Sequence, residues 1–216
     1  MKQKKIYQLN ASFGLVMFVM LGYLVKFFPN SLTSVDSSIQ QVIRRDLSAT
    51  STSFFKQVTH FGSARYVVII LGFLLLLFLI KKWYTEAIFL TVNVVMAPIL
   101  VTILKYVYTR QRPSLPHLVV EKGLSFPSGH AAVSIMLYVT LMVICRQRIK
   151  HRYVKNIPLV LAVIIVGLIG MSRIYLGVHF PTDILGGWLI SSSWLLFWFP
   201  VYDELRFKWR FKGVQK

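Results

Sequence analysis

The 216-residue chain has a single cysteine, Cys145, and only seven acidic residues. One thiol cannot build a disulfide framework, which excludes the small stapled folds of secreted proteins. Charged residues of both signs make up 15% of the chain, against roughly 25% in a soluble domain, so the composition does not supply a water-facing surface. Disorder needs low hydrophobicity, and 56% of the residues are apolar, which excludes it. Against the few acids stand 25 Lys and Arg, for a formal net charge of +18. A nucleic-acid partner would account for that charge but not for long apolar runs, so no nucleic-acid role is expected. Neither an internal repeat nor a separate domain is visible. A chain that is both apolar, with a mean hydropathy of +0.62, and basic fits an integral membrane protein.

A helix crossing a bilayer needs about 20 mostly apolar residues. Six segments reach or approach that length: 11–28, 64–80, 84–108, 129–145, 157–171 and 184–202. The expectation is an all-α polytopic membrane protein, a six-transmembrane-helix bundle formed as one domain over residues 1–216. Lys and Arg favour the cytoplasmic side. Fifteen cations, from Lys2, Lys81, Arg146 and Lys216 among others, fall on one set of connections with Glu86, Asp203 and Glu204. The other side has ten cations against Asp36, Asp46, Glu121 and Asp183. Both termini are therefore expected in the cytoplasm, with the connections around 29–63, 109–128 and 172–183 outside. The basic start before the first span resembles a signal sequence, but its apolar run is long and no small-residue cleavage site follows, so it reads as a signal anchor. Val35, Ile39, Val42, Ile43 and Leu47 recur at helical spacing between Asp36, Gln40, Arg44 and Arg45. Within 33–59 this predicts an amphipathic helix in the outer interface, either a packing lid or a ramp for an amphiphilic substrate. Ser48 to Ser53 reads as a turn.

Three stretches on the outer side concentrate unusual residues: Lys105 to Pro113, Pro127 to His130, and Ser172 to Asp183. A Lys within a membrane segment is costly unless partnered or hydrated. Lys105, Arg112 and Arg173 converge with almost no acids nearby, which calls for an anionic ligand. Arginine forks suit phosphate oxygens, and Lys adds a point charge. Ser128 and Gly129 precede an apolar run, so free backbone N–H groups at that helix start would complete an anion cradle. His179 is followed four residues later by Asp183, and a carboxylate on one ring nitrogen leaves the other free as base or nucleophile. His130 stands where it could protonate a departing alkoxide. These are the parts of phosphoryl transfer without a metal.

Each piece alone has a blander reading. Lys105 and Arg112 could be interface anchors, Pro127 to Gly129 a generic turn, and His179–Asp183 a structural pair. His60, His117 and His151 read as solvated, Trp83 and Tyr108 as interface belt, and Cys145 as a packing residue. Pro98 reads as a kink, and Gly186–Gly187 as a close helix contact.

In combination, the three stretches resemble the type 2 phosphatidic acid phosphatase (PAP2) family, whose signature is K-x6-RP, PSGH and SR-x5-H-x3-D. Lys105 with Arg112-Pro113, then Pro127 to His130, then Ser172-Arg173 with His179 and Asp183 match it without departure. The resemblance implies that His179 attacks phosphorus and becomes a phosphohistidine, that Asp183 orients it, and that His130 is the general acid. It implies that Lys105, Arg112, Ser128, Gly129 and Arg173 hold the phosphate. It implies no metal and no cofactor, in keeping with a sequence that offers no carboxylate or Cys/His ligand cluster. Soluble haloperoxidases share the signature, but six spans argue against that version. The expected partners are the bilayer and a membrane lipid phosphate, with no obligate protein partner. Phosphatidylglycerol phosphate is the favoured substrate, undecaprenyl pyrophosphate follows closely, and phosphatidic acid is a third candidate. A non-catalytic lipid-phosphate carrier would need neither His130 nor the His179–Asp183 pair. A phosphotransferase would need both and stays open.

Overall fold

The structure, a computed structural model, describes residues 2–215. Met1 and Lys216, and the side chains of Lys2 and Gln3, lie outside the described residues, so the parts of the charge pattern carried by Lys2 and Lys216 are not placed. The described chain is all helical: α1 Lys2–Phe27, α2 Pro29–Ile43, α3 Ala49–His60, α4 Ala64–Ile80, α5 Tyr84–Tyr108, α6 Gly129–Ser134, α7 Thr140–Arg148, α8 Ile157–Tyr175 and α9 Pro181–Phe211. A π-helical turn, Ile135–Val139, joins α6 to α7, so Gly129–Arg148 forms one 20-residue path. Five helical segments among the described residues are long and apolar enough to cross a membrane: Lys4–Phe27, α5, Gly129–Arg148, α8 and α9. A sixth arises if α3 and α4, bent by 50° at their junction, count as one broken span.

Packing between these helices uses small residues where backbones come close. A Cβ on Gly187 of α9 would sit 2.7 Å from the Ser128 carbonyl oxygen and 3.0 Å from the Ala131 methyl. Gly187 thereby lets the start of α6 lie on α9. Gly186 faces the Phe126 ring in the same way, as expected for this glycine pair. One core layer stacks Phe89 of α5 on Tyr202 of α9, with centroids 4.0 Å apart. Buried Asn93 donates to Thr140 and accepts from Trp194, so the polar group inside α5 is satisfied within the bundle.

Residues 33–59 differ from expectation in two ways. They form parts of two helices, α2 and α3, separated at 44–48. Ser48 to Ser53 is not a free turn: Ser48 caps α3 by accepting from the Ser51 N–H at 3.3 Å, and the rest lies in the first helical turns. A Ser/Thr cluster signals a helix start as readily as a loop. The amphipathicity of α2 is also turned outward. Leu32, Asp36 and Gln40 are buried, while Val35 and Val42 are exposed. An apolar outer face suits lipid, and the polar stripe finds its partners inside.

Helix ends extend past the apolar runs. α8 continues to Tyr175, so Ser172 and Arg173 lie on the helix rather than in a connection, and α9 begins at Pro181. Tyr108 is not a free interface residue. Its ring packs edge-on against Phe18 and Phe126. Trp83 lies under the Arg148 guanidinium, 4.0 Å from its ring centre. Pro98 sits inside a continuous α5.

Candidate active site

All the signature residues gather at one end of the bundle. α5 terminates at Thr109, which takes a left-handed conformation (φ +50°) and donates its N–H to the Lys105 carbonyl. The chain then runs without helix from 109 to 128. Loops of that length in compact folds tend to be functional. This one is pinned. Arg112 donates from Nε to the Gly123 carbonyl at 2.9 Å and from Nη2 to the Lys122 carbonyl at 3.0 Å. The Ser125 N–H donates to the Arg110 carbonyl at 2.8 Å, and the Leu118 N–H to the Leu176 carbonyl at 3.0 Å. Gly177 (φ +78°) lies where a Cβ would be 2.8 Å from the Pro116 carbonyl oxygen, so both its backbone angle and its crowding require glycine.

His179 occupies the short connection between α8 and α9 and is 1% exposed. Its Nδ1 lies 3.2 Å from Asp183 Oδ2. The same carboxylate oxygen accepts the Phe180 N–H at 2.9 Å. The other ring nitrogen, Nε2, is 3.3 Å from Arg112 Nη1. This geometry fits the tautomer with the proton on Nδ1, donated to Asp183, and with the Nε2 lone pair turned toward the arginine. Burial first, then the charges of Arg173, Arg112 and Lys105, push the His179 imidazole well below its ordinary range, so it is neutral at pH 7.

Arg173 is 2% exposed. Its Nη1 donates to Thr59 of α3 at 2.7 Å. Its Nη2 forms an ion pair with Glu121 at 2.9 Å, whereas Nε has no hydrogen-bond acceptor among the described residues. Buried donors without acceptors are uncommon and ask for an explanation. Lys105 makes no ion pair with the described residues, and it shares a cavity of about 500 Å³ with His130 and Gly129. That cavity opens between α4 and α5 and is otherwise lined largely by apolar side chains, among them Val67, Leu71, Val94 and Ile99. Lys105, Arg112, Arg173 and His179 are all close enough to His130 to act on it electrostatically. Gly62, at the α3–α4 bend, lets His130 pack closely: a Cβ there would be 3.1 Å from its ring.

Ser128 is fully buried and its N–H donates to the Asp183 carbonyl at 3.0 Å. Its hydroxyl accepts from the Ala131 N–H at 3.4 Å, a long cap. A Cβ on Gly129 would meet only Val101, at 3.7 Å. Protein packing therefore does not require glycine there, and the cavity adjoins its backbone.

Thus Lys105, Arg112, Ser128, Gly129, His130, Arg173, His179 and Asp183 are brought together. His60, His117 and His151 are exposed. Among the described residues no three His, Cys, Asp or Glu side chains form a metal-binding group. The sequence reading did not single out four residues that join the site: Asp36, Gln40, Arg110 and Glu121. Arg110 counted only as one of ten outer cations, and Asp36 and Gln40 only as the polar side of an amphipathic stretch. Their one sequence signal is the i, i+4 spacing of Asp36 and Gln40 within an amphipathic helix.

Buried cations around a histidine bonded to a carboxylate, at one end of a bundle of apolar helices, are what a membrane phosphatase would require. The family is equally plain: residues 83–207 match the PAP2 superfamily, and the chain belongs to it. It is 29% identical over 184 residues to phosphatidylglycerophosphatase B of Bacillus subtilis (strain 168), covering 81% of this chain and 86% of that one. It is 28% identical to an undecaprenyl-diphosphatase of Sulfolobus acidocaldarius, covering 85% and 86%. The crystal structure of a transmembrane PAP2-type phosphatidylglycerolphosphate phosphatase from Bacillus subtilis superposes with a TM-score of 0.77 at 26% identity, covering 91% of this chain and 96% of that one. The chain is a multi-pass membrane phosphatase of the PAP2 type.

Proposed function

We propose that the protein hydrolyses a lipid phosphate, foremost phosphatidylglycerol phosphate, through a phosphohistidine on His179. One observation carries the reading: Asp183 takes one side of the buried His179 ring, and the other nitrogen faces Arg112. In the first step Nε2 attacks phosphorus and the bond from phosphorus to the lipid oxygen breaks. His130 gives its proton to that oxygen, and the lipid leaves as an alcohol. In the second step His130 takes a proton from water, whose oxygen attacks the phosphohistidine. The P–N bond breaks, releasing inorganic phosphate and restoring His179. Lys105, Arg112 and Arg173 stabilise charge on the equatorial oxygens, where a metal acts in other phosphatases. The unaccepted Nε–H of Arg173 and the backbone beside Gly129 are suited to the same oxygens.

The apolar cavity between α4 and α5 supports a lipid substrate, because it meets the site on the His130 side, where the leaving group must stand. Undecaprenyl diphosphate is the second reading, supported by the Sulfolobus relative. The cation bias of the connections supports a cell-membrane enzyme with both termini in the cytoplasm and the site facing outside. One domain spans the whole chain in this reading.

Phosphate release from phosphatidylglycerol phosphate, phosphatidic acid, undecaprenyl diphosphate and a soluble monophosphate, in detergent with EDTA, tests it. The highest kcat/KM is expected for phosphatidylglycerol phosphate. His179→Ala should lose at least a thousandfold on every substrate. Strong inhibition by EDTA, reversed by a divalent metal, would overturn the metal-free mechanism.

A further inference from the structure

The carboxylate that orients His179 is itself held by a second layer of buried charge. Asp183 Oδ2 faces His179 and the Phe180 N–H, so Oδ1 is left to be satisfied. Arg110 Nη1 supplies the bond, at 2.8 Å. The same nitrogen is 2.7 Å from Thr182 Oγ1. Nη2 of Arg110 reaches Asp36 Oδ2 of α2 at 2.7 Å. Asp36 also accepts the Thr182 N–H at 3.0 Å and its hydroxyl at 2.8 Å. Phe180 closes the guanidinium from one side, with its ring centre 3.9 Å from Arg110 Cζ. Asp36 is 1% exposed and Asp183 fully buried, so this is a buried network rather than a surface pair. Gln40, one turn beyond Asp36, donates weakly to the His179 carbonyl at 3.4 Å.

We propose that Arg110, itself fixed by Asp36, is a positioning residue that holds the Asp183 carboxylate in register with His179 Nδ1. The proposal rests on His179 being the nucleophile. A planar fork joining two carboxylates fixes both in direction as well as in charge. Without it Asp183 keeps His179, the Phe180 N–H and the Ser125 hydroxyl, but loses its one charged partner, and its plane is freer to turn away from the ring. The imidazole then loses its preference for the Nδ1–H tautomer, and Nε2 is less often the bare nitrogen. Arg110 is separate from the groups facing phosphate. Arg112 meets Nε2, and Arg173, Lys105 and His130 lie near enough to the ring to interact with it electrostatically, whereas Arg110 meets the catalytic pair only at the far oxygen of Asp183. This explains how α2 takes part in the site: its buried polar stripe ends on the arginine that steers the catalytic pair.

The test uses the full-length protein in detergent, comparing Arg110→Gln, Arg110→Lys and Asp36→Asn with wild type. The readouts are kcat, the vanadate inhibition constant and ring-nitrogen NMR of His179. Arg110→Gln should lower kcat by about a hundredfold, the effect of a misplacement near 1 Å. Its vanadate affinity should stay within threefold, because the phosphate-facing cations are untouched. The ring nitrogens should shift from an Nδ1–H pattern to a tautomer mixture. Arg110→Lys and Asp36→Asn should fall between, with the same split. If Arg110→Gln does not fold, those two variants decide, by the same split. Unchanged kcat, or kcat and vanadate affinity falling together, would overturn the positioning role. Should His179→Ala keep turnover, the nucleophile assignment fails instead, so the two failures are distinguishable.

Discussion

Gly187→Ala is the sharpest probe of how the fold sets the site. The added methyl group would lie 2.7 Å from the Ser128 carbonyl oxygen, 3.0 Å from the Ala131 Cβ and 3.1 Å from the Ala132 nitrogen. Two of these are backbone atoms, so no side chain can swing aside and α6 must move off α9. Alanine gains about 0.5–1 kcal/mol of helix propensity over glycine. Overpacking a tight contact costs about 1–3 kcal/mol. The net is a destabilisation of up to about 2.5 kcal/mol, or a drop in Tm of up to about 10 °C for a chain of this size. The catalytic effect should be larger. The same movement strains the Ser128 N–H bond to the Asp183 carbonyl and shifts Gly129 and His130, so kcat should fall about a hundredfold. Gly72→Ala is the control. It changes the same atoms inside α4, where a Cβ meets nothing within 4 Å, and propensity alone should raise Tm slightly and leave kcat unchanged. Thermal unfolding and phosphate release on both variants decide the matter. Gly187→Ala with wild-type Tm and kcat would refute the claim that the α6–α9 contact sets the geometry of the site.

Two further outcomes are expected. Glu121 pairs with Arg173 at 2.9 Å and competes with any anion for that cation. Glu121→Gln should tighten vanadate inhibition about fivefold, roughly 1 kcal/mol; weaker inhibition would mean that the carboxylate instead holds Arg173 in place. The buried imidazole of His179 is held well below its unfolded value of about 6.5. Between those values the unfolded chain binds a proton that the folded chain does not, so stability falls as pH drops below about 6.5. From pH 7 to 5.5 this group alone removes about 1 kcal/mol. His179→Gln should therefore lose less Tm than wild type over that range, and equal losses would contradict a neutral buried ring.

The helices and the site were unequally legible. Apolar runs located the spans because lipid selects them almost by composition alone. Their ends were legible less well. Arg173 and Asp183 are polar, yet both lie in helices, because their side chains find their partners within the protein rather than in water. The signature residues could be read together because the family signature fixes their spacing. Arg110 could not, since it is one of six unspecified positions between Lys105 and Arg112. Asp36 meets Thr182 from 146 positions away, a pairing that no local pattern reports. α2 was readable as amphipathic but not in which sense, because an apolar face turns inward in water and outward in lipid.

The central claim is that His179 carries the phosphoryl group. The direct measurement is a rapid alkaline quench of wild-type enzyme turning over lipid phosphate labelled on phosphorus, followed by peptide mass spectrometry. Phosphohistidine survives base, so label is expected on the peptide bearing His179 and should vanish in His179→Ala. Turnover with no label on that histidine, or label on His130 instead, would contradict the account.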